Sequence, residues 1–285
     1  MHAKGGNVLF YRDLAQHLGT DQPFYGIQAR RVGGRQVAHS TVEEMAAFYI
    51  KEIREIQPEG PYYIGGSSFG GLAAFEMAQQ LTREGHTVAL LALLDTGTKD
   101  YPEFLPTTST LRRKVYDRVR QVQKHVDSLV GLDARGKVQY ILNKATKIDL
   151  VLRRKVRNTY KKTARRLYLK LKGAGSIPKQ YFQVEDQIAR AGQIYSPKPY
   201  KGAVTLFRAA HQPFGIYPDP TLGWGRYIVG SLEIHEVPGH HGSIVAEPYV
   251  KVLAEKLSMC LDRVQNSDSL EEQTSSRAGT ASASV

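Results

Sequence analysis

Tyr62-Tyr63-Ile64-Gly65-Gly66-Ser67-Ser68-Phe69-Gly70-Gly71 runs without a break into Leu72-Ala73-Ala74-Phe75-Glu76-Met77-Ala78. An apolar, aromatic run of strand character meets a glycine-framed serine, and strong helix formers follow. Gly66-x-Ser68-x-Gly70 therefore falls where a strand turns sharply into a helix. Such a turn strains the serine backbone, so its neighbours must approach without β-carbons. The serine hydroxyl then stands at the sheet's end, beside helix N–H groups that favour a developing negative charge. A capping turn with no chemistry is the plainer alternative, and the strand–turn–helix context favours a nucleophile. Ser67 is the local rival; the frame of the glycines selects Ser68.

Outward from this turn the chain alternates strand and helix signals. On the N-terminal side, Val8 to Leu18 carries Phe10, Leu14 and Leu18 on one helical face, with Asn7 as N-cap and Gly19 as the stop. Phe24 to Ala29 is expected to be a short strand. Thr41-x-x-Glu44 is a capping box that opens a helix with Val42, Met45, Tyr49, Ile53 and Ile56 as its buried stripe. After the serine helix ends near Arg83 and Gly85, Thr87 to Leu94 is almost wholly apolar, as a parallel strand buried on both faces requires. Asp95 follows at its carboxyl end, the edge where βαβ units bind ligands. A helix over Val184–Ile194, strands at Ala203–Arg208 and Leu232–Val237, and a helix opened by Pro248 complete the pattern.

The 285 residues carry a net charge of +12. Between Lys99 and Lys172 there are 21 Lys/Arg against 6 Asp/Glu, a net of +15 that exceeds the whole chain's. The charge belongs to that stretch, which reads as basic amphipathic helices over 111–130, 137–150 and 151–171. Nucleic-acid binding is the weakest account of it, since interleaved aromatics and a reading motif are lacking. No apolar run is long enough to span a membrane, and a single cysteine, Cys260, excludes an internal disulfide. Both fit a cytoplasmic location. Gln265 to Val285 is Ser/Thr/Ala/Glu-rich and is expected to be a disordered tail.

A serine nucleophile needs a base and an acid that orients the base. Pro238-Gly239-His240-His241-Gly242 follows the last strand and offers two histidines. Asp95 and Asp219, each after a strand, compete as the acid. The order Ser…Asp…His is that of an α/β-hydrolase. Spacing alone leaves both choices open, and no residue of this group is assigned to a metal.

Further stretches bear on these choices: Gly5-Gly6-Asn7-Val8-Leu9-Phe10-Tyr11-Arg12-Asp13-Leu14-Ala15, Gln57-Pro58-Glu59-Gly60-Pro61, Leu93-Leu94-Asp95-Thr96, Leu222-Gly223-Trp224 and Val237 to His241. With the serine turn, they resemble the type I thioesterase domains that end non-ribosomal peptide and polyketide synthetases. The resemblance covers nearly all of residues 2 to 260. It implies an α/β-hydrolase fold over residues 1–265, a mostly parallel sheet flanked by helices with a helical lid inserted at about 100–179. It implies Asp95 as acid and His241 as base. It also implies an oxyanion hole formed by the N–H groups of Phe69 and Ala3, the latter in the loop from His2 to Gly6.

The implied activity is release of an acyl, peptidyl or polyketide chain from the phosphopantetheine arm of a carrier protein through a Ser68 acyl-enzyme, without a bound cofactor. The partner is expected to be an acidic carrier that meets the basic lid; a solvated helical face with no partner is the plainer account of the same charge. A carboxylesterase of small esters and a truncated, non-catalytic basic module are the alternatives. The family carries a central strand before the His2–Gly6 loop, between the neighbours of Phe24 and Tyr62. That strand is missing here, and an N-terminally truncated, poorly stable chain is the resulting expectation.

Overall fold

The computed structural model describes residues 1–29, 31–32, 35–36, 39–109, 111–112, 115 and 184–281. Their contacts define two compact units. One comprises Met1–Glu103, Val184–Gln212 and Tyr217–Val285, and the other Phe104–Gln183 with Pro213–Ile216. The basic helices expected within 111–171 lie almost wholly outside the described residues. Within the second unit, Phe104 bridges Ile216, and Gly215 O accepts from Leu105 N–H at 2.8 Å and Thr108 Oγ1 at 3.0 Å.

The first unit carries the main sheet. Its elements in order are a 3-10 turn (Leu9–Tyr11), α1 (Arg12–Leu18), a two-residue pair β1 (Arg31–Val32) and β2 (Arg35–Gln36), and α2 (Val42–Arg54). Then come β3 (Tyr62–Ser67), α3 (Phe69–Arg83), β4 (Val88–Leu94), α4 (Val184–Ile194), β5 (Val204–His211), a second 3-10 turn (Trp224–Arg226), β6 (Leu232–His240) and α5 (Val250–Ala281). Strands β3-β4-β5-β6 form one sheet in that order, all parallel. This is the α/β architecture that the alternation implies.

The apolar run of β4 explains the layering. Leu91 and Leu93 face a core built with Val42, Met45, Phe75 and Trp224, whereas Leu90, Ala92 and Leu94 face Leu14, Phe207, Val250 and Leu253. Period-2 alternation on a strand buried on both faces demands helices on both sides, and α2 and α3 cover one side, α1 and α5 the other. Helix α2 starts as its capping box directs. Thr41 Oγ1 accepts from Glu44 N–H at 3.2 Å, while Glu44 Oε2 reaches back to Ser40 N–H at 2.9 Å.

Several expectations fail for definable reasons. Asn7 caps nothing, because the first helix begins as a 3-10 turn whose N-cap is Val8. Ile56 lies beyond the end of α2 and is 66% exposed. Phe24–Ala29 is not a strand. It holds only isolated backbone bonds, from His2 N–H to Ile27 O (3.1 Å) and from Ala29 N–H to Gly6 O (3.0 Å). A strand needs a ladder partner. Instead, a cavity of about 760 Å³ separates Phe24–Gln28 from Tyr62–Gly66. Among the described residues no strand pairs with the outer edge of β3, and the Met1 amino group donates there to Gly65 O at 2.8 Å. Burial lowers that amine to a pKa of about 5. At the other terminus, helix α5 continues to Ala281, through the stretch whose composition suggests disorder. Ala, Glu and Gln, which recur in that stretch, are good helix formers.

Candidate active site

Ser68 lies between β3 and α3 with φ 55° and ψ −122°, a conformation that a residue with a β-carbon rarely adopts. The glycines make the turn possible. A β-carbon on Gly66 would come within 2.3 Å of the Gly70 carbonyl carbon, and one on Gly70 within 2.6 Å of Met1 O. The turn is also tied down from below. Ser67 N–H donates to Tyr11 Oη at 2.6 Å, and Tyr11 in turn donates to Met1 O at 2.9 Å.

Register places Asp95 beside the serine. Ser67 pairs with Leu94, Ser68 N–H donates to Leu94 O at 3.2 Å, and the next residue on β4 is Asp95. Its backbone N–H donates to Phe207 O at 2.7 Å. The following Thr96 is pinned through its carbonyl, which accepts from the indole of the fully buried Trp224 at 2.6 Å.

Asp95 is 4% exposed, and each of its carboxylate oxygens is occupied. Oδ1 accepts from Ala209 N–H at 2.7 Å and from Gln212 Nε2 at 3.2 Å; Oδ2 meets His241 Nδ1 at 2.8 Å. Burial pushes this carboxyl up, but the hydrogen bonds from His241, Ala209 and Gln212 outweigh it and hold Asp95 below its ordinary value. The same contact acts oppositely on the imidazole. The Asp95 hydrogen bond raises His241 above its ordinary value, against the opposing effect of burial. The His241 side chain is 58% exposed, so salt partly screens this coupling. An Nδ1–H directed at Asp95 leaves Nε2 as the proton acceptor.

The competing residues make other contacts. His240 turns its Nδ1 to the His241 carbonyl at 2.8 Å and its N–H to Ser243 Oγ at 2.8 Å. Asp219 caps its own loop. Its Oδ1 accepts from Thr221 N–H (2.8 Å) and Thr221 Oγ1 (2.7 Å), and its Oδ2 from Gly223 N–H (2.7 Å).

Phe69 is the first residue of α3, where N–H groups lack intrahelical acceptors. The loop bearing Ala3 packs on the same helix end. The His2 ring stacks on Phe69 at 5.8 Å, and His2 O would lie 2.8 Å from a β-carbon on Gly70. The buried His2 is clamped between Tyr49 Oη (Nε2, 2.6 Å) and Ala3 O (Nδ1, 2.9 Å), and burial lowers its pKa to about 4. A neutral ring in this place fixes the loop without adding charge. Sequence reasoning missed two residues. His2 was legible only as part of a loop motif, and Gln212, in Ala-His-Gln-Pro, carries no signal.

The parallel sheet, the strained serine between β3 and α3, and the Asp–His pair at later strand ends define an α/β-hydrolase fold. The thioesterase-domain family model matches residues 1–259, and the chain belongs to that family. It is 31% identical over 268 residues to a dimodular nonribosomal peptide synthase of Bacillus subtilis (strain 168), covering 90% of this chain and 10% of that protein. It is 43% identical over 94 residues to the polyketide synthase PksR of the same organism, covering 33% of this chain and 4% of that one. The solved thioesterase domain of NocB, in covalent complex with a fluorophosphonate nocardicin G analogue, superposes with a TM-score of 0.56 at 25% identity, covering 91% of this chain and 92% of that domain. The chain spans a tenth or less of the length of the curated synthetases first matched. Among the described residues no helix is long and apolar enough to cross a membrane.

Proposed function

We propose that the chain is a serine thioesterase that takes an acyl, peptidyl or polyketide chain from a carrier's phosphopantetheine thioester onto Ser68. The observation that carries this reading is Ser68, strained at the end of β3, one strand from an Asp95–His241 pair held at 2.8 Å. Ser68 Oγ attacks the thioester carbonyl carbon while His241 Nε2 takes the hydroxyl proton. Phe69 N–H and Ala3 N–H receive the oxyanion, a contribution of about 3–4 kcal/mol for one well-aimed donor. Collapse expels the carrier thiol, which regains its proton from His241. Water, or a nucleophile within the acyl chain, then attacks the acyl-serine with His241 again as base. Release is thus hydrolysis or cyclisation. Ser68 Oγ and the His241 imidazole perform every proton and acyl transfer, so the reading calls for no bound cofactor.

The segment with a net charge of +15 fits an acidic carrier as the delivering partner. A single cysteine suits the reducing cytoplasm in which such a carrier would meet it.

A fluorophosphonate probe followed by intact-mass measurement tests this. One adduct per chain is expected, absent in Ser68→Ala. A folded wild-type protein that takes no adduct would instead support a non-catalytic module. Turnover of small oxoesters above acyl-carrier thioesters would replace the thioesterase reading by a carboxylesterase.

A further inference from the structure

Away from the triad, β6 and α5 bring together three metal-binding side chains. Glu233 and His235 alternate onto one face of β6, and Cys260 approaches them from α5. His235 Nε2 is the hub, 3.0 Å from Glu233 Oε1 and 3.5 Å from Cys260 Sγ, and all three donor atoms lie within 4.8 Å of one another. Among the described residues this is the group of three or more that could hold a metal ion.

We propose that Glu233, His235 and Cys260 form a Zn²⁺ site that clasps the last helix to the edge strand of the sheet. The two separations from His235, 3.5 Å to sulfur and 3.0 Å to oxygen, stand close to those the ion would set. Zinc bonds of about 2.0–2.1 Å to nitrogen or oxygen and 2.3 Å to sulfur, at tetrahedral angles, set N···S near 3.5 Å and N···O near 3.3 Å. A mixed thiolate, imidazole and carboxylate set suits zinc and is wrong for calcium or magnesium. The donors stand on a strand and a helix. The His235 ring is further fixed by stacking on Phe207, 5.2 Å between centroids at 18°.

The position already attracts a cation. Arg263 Nη2 lies 2.5 Å from Glu233 Oε2 and 3.7 Å from Cys260 Sγ. Its side chain is 57% exposed, so it can swing into solvent when an ion takes its place. Binding would release the thiol proton. One Zn²⁺ then meets one thiolate and one carboxylate with a neutral imidazole, leaving no net charge in the seam. Three protein ligands leave a fourth position for water. His235 lies on β6 and His241 just past its end, six residues on and roughly 20 Å away, so the ion holds structure and takes no part in acyl transfer.

The test is titration of the chelator-stripped full chain with ZnCl₂ by calorimetry and with CoCl₂ by absorption. One equivalent should bind. Cobalt should develop a thiolate charge-transfer band, which can come only from Cys260 because the chain has no other thiol. His235→Ala and Cys260→Ser should each weaken binding on the order of 100-fold or more. Arg263→Gln should tighten it by removing the resident cation. His17→Ala, which breaks the separate His17–Glu247 contact of 2.6 Å, should change nothing. The proposal fails if no saturable uptake occurs, if cobalt gives no thiolate band in the wild-type chain, if a full equivalent still binds to Cys260→Ser, or if Arg263→Gln weakens binding.

Discussion

Asp95 and Asp219 make a controlled comparison. Each follows a strand, and each carboxyl is held below its ordinary value by hydrogen bonds that outweigh its burial. Each accepts from three groups besides its own backbone. The partners differ in where they lie along the chain. Those of Asp219 are two and four residues away, so its charge is spent on shaping one loop. Those of Asp95 are 114, 117 and 146 residues away, and one of them is an imidazole. A carboxylate satisfied locally closes a turn; one satisfied by distant groups can orient another functional side chain. A shift in the same direction therefore does not mean the same task.

The largest expected effect breaks the pair apart. Asp95→Asn should lower kcat by about 10⁴, because the amide no longer holds His241 in the right tautomer or steadies the imidazolium. Asp219→Asn should cost less than tenfold in kcat and about 1 kcal/mol in stability. Parallel turnover and thermal melts distinguish these. A larger kcat loss in Asp219→Asn would reverse the assignment.

The two histidines extend the contrast by one strand. His241→Ala should cost on the order of 10³ or more in kcat, whereas His240→Ala, whose ring Nδ1 meets the His241 carbonyl, should stay within about fivefold. Comparable losses would mean that the base is shared or misassigned.

The pH dependence sharpens the electrostatics. In the proposed mechanism His241 must be neutral to accept a proton, so kcat/KM should rise through an apparent pKa above 6.5 in the wild type. In Asp95→Asn the raising contact is gone, and the inflection should move down. Stability follows the opposite limbs. The raised His241 contributes stability that is complete below about 6.5 and is lost as pH climbs through its folded value. The depressed Asp95 contributes stability present above its ordinary value near 3.8 and lost as pH falls through its folded value. Their joint contribution is thus largest between about pH 4 and 6.5. Melting temperatures of wild type and Asp95→Asn should diverge most in that window, and a constant gap across pH would count against the pair.

The elements differ in how far the sequence reveals them. The serine turn was legible because its glycines, apolar strand and helix formers are contiguous and each is required by the same backbone geometry. Helix α4 ends at Ile194, where its sequence pattern ends. Spacing does not separate Asp95 from Asp219, since the partners in which they differ come from β5, the residue just after it and the loop after β6. Phe24–Ala29 shows the same limit in reverse. Its residues favour a strand, but strand formation depends on a neighbour, and a cavity occupies that place. Local pattern carries backbone shape; long-range pairing decides which polar group does chemistry.

The smallest expected effect probes how Asp95 itself is held. Gln212 Nε2 bridges Asp95 Oδ1 (3.2 Å) and Ala209 O (2.7 Å), while its Oε1 accepts from Tyr101 Oη at 2.8 Å. The Tyr101 hydroxyl, pushed up to about 12 chiefly by burial and then by the Asp95 charge, stays protonated and keeps the amide in that orientation. In the proposed mechanism Gln212 is a positioning residue, acting through Asp95 on His241. Losing one such hydrogen bond is worth about 0.5–1.5 kcal/mol, so Gln212→Leu should lower kcat roughly 2–10-fold, and Tyr101→Phe by less. A loosened carboxylate should also bring the His241 inflection down slightly, which a purely structural loss would not do. Thr221→Val, the matching change at Asp219, should leave kcat and the inflection unmoved and lower only the melting temperature. The deciding measurement is the double variant. Groups that act in series are not additive. With Asp95 already replaced by Asn, Gln212→Leu should cost nothing further, whereas a full additional loss in that background would mean that Gln212 serves the site by a route other than Asp95.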